Sequence, residues 1–115
     1  MPRFVILQHD HPHLHWDLML EVGDALRTWR LASPPRPGAA IAATALGDHR
    51  LAYLDYEGPV SGNRGTVRRW DRGEYSVVEQ TADSLTMMLS GERVNGRAAV
   101  TRCQGDQWEF RLQVV

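Results

Sequence analysis

The chain has 115 residues, of which 43% are hydrophobic and 23% are charged, and its formal net charge is −1. This length has room for one modest core, so we expect a single domain over residues 1–115. The near-neutral charge excludes an overall basic field that would attract nucleic acid. All thirteen basic residues are arginine.

Cysteine content and hydropathy predict the compartment. Cys103 is the single cysteine, which excludes an intrachain disulfide and favours a reducing environment. The N-terminus does not resemble a signal peptide, and no apolar run approaches the ~20 residues of a membrane span. We therefore expect a cytoplasmic protein that does not enter a membrane, and we expect a monomer.

Short extended runs separated by Gly, Pro, Asn and Asp are typical of an all-β domain. In chain order, the predicted strands are RFVILQ, HWDLMLEV, ALRTWRLA, HRLAYLDYEG, GTVRRWD, YSVVEQ, SLTMMLSG, AAVTRC and WEFRLQVV. The predicted turns include GD, DRGE, TADS, VNGR and QGDQ, and SPPRPGAA is a loop. The short segment GAAIAATAL is the one plausible helix. Together these elements predict a small closed β-barrel of about eight strands with at most one short helix.

Four of the five histidines lie in the stretch QHDHPHLHWDLMLE. Residues two apart on a strand face the same side, so His15 and Asp17 point together, whereas Trp16 and Leu18 can enter the core. One imidazole and one carboxylate on one strand face make up two thirds of a facial metal site.

The third ligand of such a site is open on spacing alone, since His9, His11 and His13 are all near. Pro12 indicates a tight loop, which would bring His9 across from His15 and leave His11 and His13 at the loop tip. Nitrogen and carboxylate ligands suit Mn²⁺, Fe²⁺ or Zn²⁺.

The pattern H-D-x-x-x-L-H-W-D-L-x-L-E, followed by LRTW, resembles the 3′-phosphoesterase domain of the bacterial DNA ligase D family. Three later stretches resemble the same family in the same order: DHRLAYLDYEG, GTVRRWDRGEY, and LSGERVNGRAAVTR with WEFRL behind it. The resemblance runs from Phe4 to the C-terminus.

This resemblance implies a small β-barrel with a Mn²⁺-dependent site, in which Zn²⁺ or another transition metal is the alternative ion. It implies a hydrolase of DNA repair that trims 3′ ends by removing a terminal ribonucleoside and then the 3′-phosphate. By position, His9, His15 and Asp17 would hold the metal, and His49 and Tyr53 would contact the scissile phosphate. The implied partners are nucleic-acid 3′ ends and a ligase or other end-joining repair protein.

The chain also departs from the family pattern at cationic positions. Met19 stands where the family commonly has an arginine, and Ser33 is nearest to a position where it tends to have a lysine. A basic residue upstream of the D-H motif is absent from the uncharged AIAATALGD. Arg64 or Arg30 could replace these cations by reaching in from another part of the chain.

Three residues are further candidates for phosphate or nucleic-acid binding, namely Arg64, Arg68 and Trp70. The missing cations leave two alternatives open: a non-catalytic module that binds DNA ends or phosphates, and a phosphoesterase for another small phosphoester. A third alternative takes His15 and Asp17, with a distal His49, as ligands of a non-haem iron oxygenase.

Overall fold

The computed structural model describes residues 1–114, and its strands form one antiparallel sheet that closes on itself. The strands are β1 (Arg3–His9), β2 (His15–Val22), β3 (Ala25–Leu31), β4 (Ile41–Arg50), β5 (Gly58–Pro59), β6 (Thr66–Thr81), β7 (Ser84–Gly91), β8 (Asn95–Gln104) and β9 (Gln107–Gln113). The order β1-β2-β3-β4-β9-β8-β7-β6 closes through pairing of β1 with β6, and the two-residue β5 adds to β6. The predicted eight-strand barrel is confirmed.

Strand alternation divides β2 between the inside and the outside of the barrel. Leu18 and Leu20 are fully buried in the interior core, where Trp29 and Trp108 pack edge to face with ring centroids 5.5 Å apart. Asp17 therefore lies on the outer wall, because neighbouring residues of a strand face opposite sides.

A second, smaller apolar cluster lies on the outer wall. Val5, Leu7 and Met19 of the first hairpin pack there with Leu54 and Val67. Leu54 belongs to the connection between β4 and β6, so this connection is held against the outside of the barrel by apolar burial. The covered wall is the place where the polar side chains of β1 and β2 gather.

The elements on either side of Arg50 differ from the sequence-based expectation. The one plausible helix, GAAIAATAL, instead leads into β4, whose Ile41 and Ala43 are buried while Ala42 is exposed. The strand predicted in HRLAYLDYEG ends at Arg50, and a 3₁₀ turn follows over Leu51–Leu54. The turn buries Leu54 in the outer cluster, a contact between distant residues that local alternation does not reveal.

The predicted DRGE turn was also wrong, because GTVRRWD and YSVVEQ form the single 16-residue strand β6. A register shift against β1 leaves Trp70 without a pairing partner there, and the strand bends without ending. The carboxylate of Asp71 is buried at this bend. Its oxygens accept hydrogen bonds from the backbone N–H groups of Arg72, Glu92, Arg93 and Val94 at 2.8–3.1 Å.

No helix among residues 1–114 is long and apolar enough to cross a membrane. The assignment of residues 1–115 to one domain, the monomeric state and the cytoplasmic location stay predictions.

Replacing Asp71 with alanine should lower the free energy of unfolding by about 4 kcal/mol, because four backbone donors lose a charged acceptor at a buried position. Urea denaturation measures this loss. The matched control is Asp83→Ala, which removes an exposed carboxylate paired only with Arg102 and should cost less than about 1 kcal/mol. Equal losses in the two variants would show that the Asp71 hydrogen bonds do not stabilise the barrel.

Candidate active site

The β1–β2 hairpin brings two histidines together at its loop. His9 is the last residue of β1 and pairs directly with His15, the first residue of β2. Their ring centroids lie 4.9 Å apart, and His15 is buried. The predicted Pro12 loop, with His9 across from His15, is confirmed.

Backbone carbonyls orient both imidazoles. The Nδ1 atom of His15 lies 2.7 Å from the carbonyl oxygen of His13, and the Nε2 atom of His9 lies 2.8 Å from that of Arg64. A carbonyl oxygen only accepts hydrogen bonds, so each of these nitrogens carries the proton. A neutral imidazole has one N–H, which leaves a lone pair on Nε2 of His15 and on Nδ1 of His9.

Both lone pairs point to the same carboxylate. The Oδ2 atom of Asp17 is 3.2 Å from Nε2 of His15 and 3.9 Å from Nδ1 of His9. The Oδ1 atom of Asp17 is buried and has no hydrogen-bond partner among the residues that the structure describes. Lone pairs and a buried negative charge at these distances repel one another unless a cation, either a proton or a metal ion, lies between them.

The same three residues offer ligand atoms within 4.8 Å of one another, a spacing that one metal ion can bridge. This grouping contains His9 and not His49, so the ligand set of an iron oxygenase is not assembled in the described part of the chain. His11 and His13 are exposed, as the loop-tip prediction expects.

A cavity of about 300 Å³ opens beside these groups on the outer wall. His49 and Tyr53 line it together with His9 and Asp17, and the rings of His49 and Tyr53 are 6.0 Å apart. The prediction of one strand, HRLAYLDYEG, that contains both His49 and Tyr53 was wrong, since Tyr53 lies in the 3₁₀ turn after β4. The turn folds Tyr53 back toward His49, so both residues still reach one cavity.

Hydrogen bonding determines which His49 nitrogen faces a ligand. Its Nδ1 atom is 2.9 Å from the carbonyl oxygen of Gly47 and therefore donates to it. Nε2 is left for a molecule in the cavity. The Tyr53 hydroxyl makes no hydrogen bond within residues 1–114, which leaves it free to donate as well.

The arginine predictions divide into two outcomes. Arg64 lines the cavity, although its Nε and Nη2 atoms donate to the carbonyl and hydroxyl oxygens of Ser61. Arg68 and Trp70 do not line it: Arg68 is exposed, and Trp70 packs against the interior core beneath the Arg93 guanidinium, which is 4.8 Å from the ring centroid. A role for Arg68 or Trp70 in nucleic-acid binding stays a prediction.

Side chains outside the cavity hold the connection between β4 and β6 in place. The Oδ1 atom of Asp10 accepts a hydrogen bond from the backbone N–H of Thr66 at 2.8 Å, and Gly65 lies against the same carboxylate. Further along, the Arg3 guanidinium donates to Asp55 at 2.7 Å, and this bond lowers the pKa of the Asp55 carboxyl. The bond from Thr66 to Asp10 anchors the chain two residues beyond Arg64, whose carbonyl accepts a hydrogen bond from His9.

The cavity has lining residues beyond those that the sequence assigned to the site. His11 and Arg30 also line the cavity. Arg30 was accessible to reasoning, because a two-residue turn at Gly23–Asp24 places Arg30 directly across from Asp17. The role of the Arg64 carbonyl was not predictable from the sequence, because every residue has a backbone carbonyl whatever its side chain.

The fold and the cavity together define a small antiparallel β-barrel whose outer wall carries imidazoles, a carboxylate and arginines, a composition suited to phosphoesters. The family profile of the DNA ligase D 3′-phosphoesterase domain matches residues 7–102. The chain belongs to this phosphoesterase family, as its resemblance indicates.

Curated relatives agree with this assignment. The chain is 30% identical over 122 aligned residues to the multifunctional non-homologous end joining protein LigD of Pseudomonas aeruginosa, an alignment that covers 96% of this chain. It is 32% identical over 114 residues to the multifunctional non-homologous end joining DNA repair protein LigD of Mycobacterium tuberculosis, covering 91% of this chain. The alignments span only 14% and 15% of those two proteins, respectively.

Gly65→Ala should disturb the orientation of His9. Gly65 has a φ of +75°, and an added Cβ would lie 2.7 Å from Cβ of His11 as well as against Asp10. Gly38→Ala is the control, since its φ is +78° and open space surrounds its Cβ position. The control should lose about 1 kcal/mol of unfolding free energy from backbone strain, and Gly65→Ala at least about 2 kcal/mol. NMR signals of the His9 ring should shift only in Gly65→Ala, and identical behaviour of both variants would contradict this.

Proposed function

We propose that this chain is a metal-dependent phosphoesterase that acts on 3′ ends of nucleic acid during DNA repair. The proposed reaction is hydrolysis of a terminal 3′-phosphate, and removal of a terminal ribonucleoside precedes it where one is present. His9, His15 and Asp17 are the proposed metal ligands, and Mn²⁺ is the proposed ion, with Zn²⁺ or another transition metal as the alternative.

The observation that carries this proposal is the convergence of two imidazole lone pairs on the Asp17 carboxylate. Each imidazole is oriented by a hydrogen bond from its other nitrogen to a backbone carbonyl, as is common for metal-binding histidines. A mixed nitrogen and carboxylate donor set suits Mn²⁺, Fe²⁺ and Zn²⁺. When bound, such an ion would neutralise charge on a phosphate oxygen and lower the pKa of a bound water.

The chain's own side chains would handle the rest of the phosphate. In its cationic form His49 would act through Nε2, either by donating a hydrogen bond to a phosphate oxygen or by protonating the leaving oxygen. Tyr53 would donate its hydroxyl proton in a hydrogen bond to a second phosphate oxygen. Both roles require that the two residues face the proposed metal site, and they line one cavity with two of its three proposed ligands, His9 and Asp17.

The surroundings of the cavity fit a nucleic-acid end better than a buried small molecule. The cavity opens on the outer wall, and Arg64 and His11 lie at its rim among exposed residues. The proposed partners are a nucleic-acid 3′ end and, in the cell, a ligase or another end-joining repair protein. We propose a cytoplasmic monomer.

Met19 favours a second candidate, a barrel that binds DNA ends without turnover. Met19 is buried in the outer apolar cluster and lines the cavity, so a thioether replaces the arginine that is common at this position in the family. Loss of a charge-assisted contact weakens a phosphate complex by roughly 1.5–3 kcal/mol. Hydrolysis of a 3′-phosphate end distinguishes the two candidates, because only the phosphoesterase would catalyse it.

A labelled primer–template with a 3′-phosphate, incubated with the protein and Mn²⁺, should be converted to a 3′-hydroxyl. His15→Ala should abolish the conversion and weaken Mn²⁺ binding by more than about 100-fold, because a ligand is lost rather than a supporting group. His13→Ala is the matched control. It removes a neighbouring exposed imidazole that lies outside the cavity and retains the carbonyl that orients His15.

Gel electrophoresis follows conversion, and calorimetry follows Mn²⁺ binding. Full activity in His15→Ala would refute the proposed metal site. Tight binding of 3′-phosphate ends by the wild-type protein without conversion, across Mn²⁺, Zn²⁺ and Co²⁺, would establish the binding module instead.

A further inference from the structure

We infer that Arg30 is the phosphate-binding cation of this site. This inference rests on the proposed function, because it assigns a residue to the phosphate of that substrate. The side chain lies on β3 directly across from Asp17 and lines the same cavity as His49 and Tyr53.

The Arg30 guanidinium forms a long ion pair with the Asp17 carboxylate but no hydrogen bond to it. Its Nε atom is 4.0 Å from Oδ1 of Asp17, beyond hydrogen-bond distance. Both atoms are buried, and neither has a hydrogen-bond partner among the described residues. Unpaired buried donors and acceptors are rare in folded proteins, and a missing ligand or ion is one of their ordinary explanations.

The two unpaired atoms require complementary partners. The carboxylate oxygen can take a hydrogen-bond donor or a cation, and the guanidinium N–H can take an acceptor. A phosphate oxygen meets the second need, since guanidinium groups bind phosphates through parallel charge-assisted hydrogen bonds. The side chain of Arg30 is 39% exposed, so its terminal nitrogens can reach a molecule that enters from solvent.

Arg64 is less available for this task although it lines the same cavity. Two of its side-chain nitrogens donate to Ser61, and its backbone carbonyl accepts a hydrogen bond from His9, so the loop already determines its position. No hydrogen bond from the Arg30 side chain is present within residues 1–114. Of these two arginines, Arg30 is the one whose side chain makes no hydrogen bond to the described residues and can therefore donate to a ligand.

Arg30 places a positive charge beside the apolar Met19 in this cavity. Met19 lies two residues beyond Asp17 on β2 and lines the same cavity, and its cross-strand partner is Thr28. Arg30 lies across from Asp17 itself. The positive charge is therefore on the neighbouring strand, while Met19 packs in the outer cluster.

The test compares Arg30→Met with Arg111→Met by fluorescence anisotropy in Mn²⁺. Arg111→Met also removes one positive charge, but from the exposed face of β9 beside Glu109. The probes are oligonucleotides ending in a non-hydrolysable 3′-phosphonate or in a 3′-hydroxyl. We expect wild type and Arg111→Met to prefer the phosphonate end, and Arg30→Met to bind that end about 10- to 100-fold more weakly.

Manganese affinity separates phosphate binding from a positioning role. Loss of a nearby cation should leave Mn²⁺ affinity unchanged or increase it, whereas weaker Mn²⁺ binding by Arg30→Met would mean that Arg30 only orients Asp17 and would overturn the inference. If Arg30→Met does not fold, Arg30→Gln answers the same question, because it keeps a polar side chain and removes the charge. Full phosphonate affinity in Arg30→Gln would then overturn the inference.

Failure of this inference is distinguishable from failure of the proposed function. An unchanged phosphonate preference in Arg30→Met would overturn the Arg30 assignment and leave the phosphoesterase proposal intact. A wild-type protein that does not distinguish the two ends would overturn the assignment too. The Mn²⁺ conversion assay would then show separately whether the enzyme proposal fails.

Discussion

The candidate site depends on one electrostatic constraint, the convergence of two imidazole lone pairs on a buried carboxylate. Nδ1 of His15 and Nε2 of His9 donate to the carbonyls of His13 and Arg64, so a neutral ring has no second N–H that could relieve the repulsion by donating to Asp17. A cation between the three residues removes the repulsion. The β1–β2 hairpin holds these three residues together. The connection between β4 and β6 lies against it and is fixed by the hydrogen bond from Thr66 to Asp10.

Strand alternation places the residues that form the stabilising core inside the barrel and the residues of the candidate site on its outer wall. Leu18 and Leu20 face an interior filled with apolar side chains, whereas Asp17 and Met19 face the outer wall. Chemistry on the outer wall would be open to water, but the segment between β4 and β6 covers it and supplies Tyr53 and Arg64. The family match and this geometry agree on a phosphoesterase fold, in which Met19 and Arg30 line the outer-wall cavity.

Much of the fold and part of the site were predictable from the sequence, because they follow from local periodicity and turn chemistry. The His9–Pro12–His15 loop and the eight-strand barrel are of this kind. The 3₁₀ turn holding Tyr53 and the continuous strand through Asp71 were not, since each is stabilised by residues distant in sequence. Arg30 lies between these cases, because the register of a two-residue hairpin turn already places it across from Asp17.

Anomalous diffraction from crystals grown with Mn²⁺ tests the central claim most directly. We expect one strong anomalous peak bounded by Nδ1 of His9, Nε2 of His15 and the carboxylate of Asp17, with ligand distances of about 2.0–2.3 Å. The rings should keep their hydrogen bonds to the carbonyls of Arg64 and His13. A peak elsewhere, or none while the histidines turn away from Asp17, would contradict the account of the site.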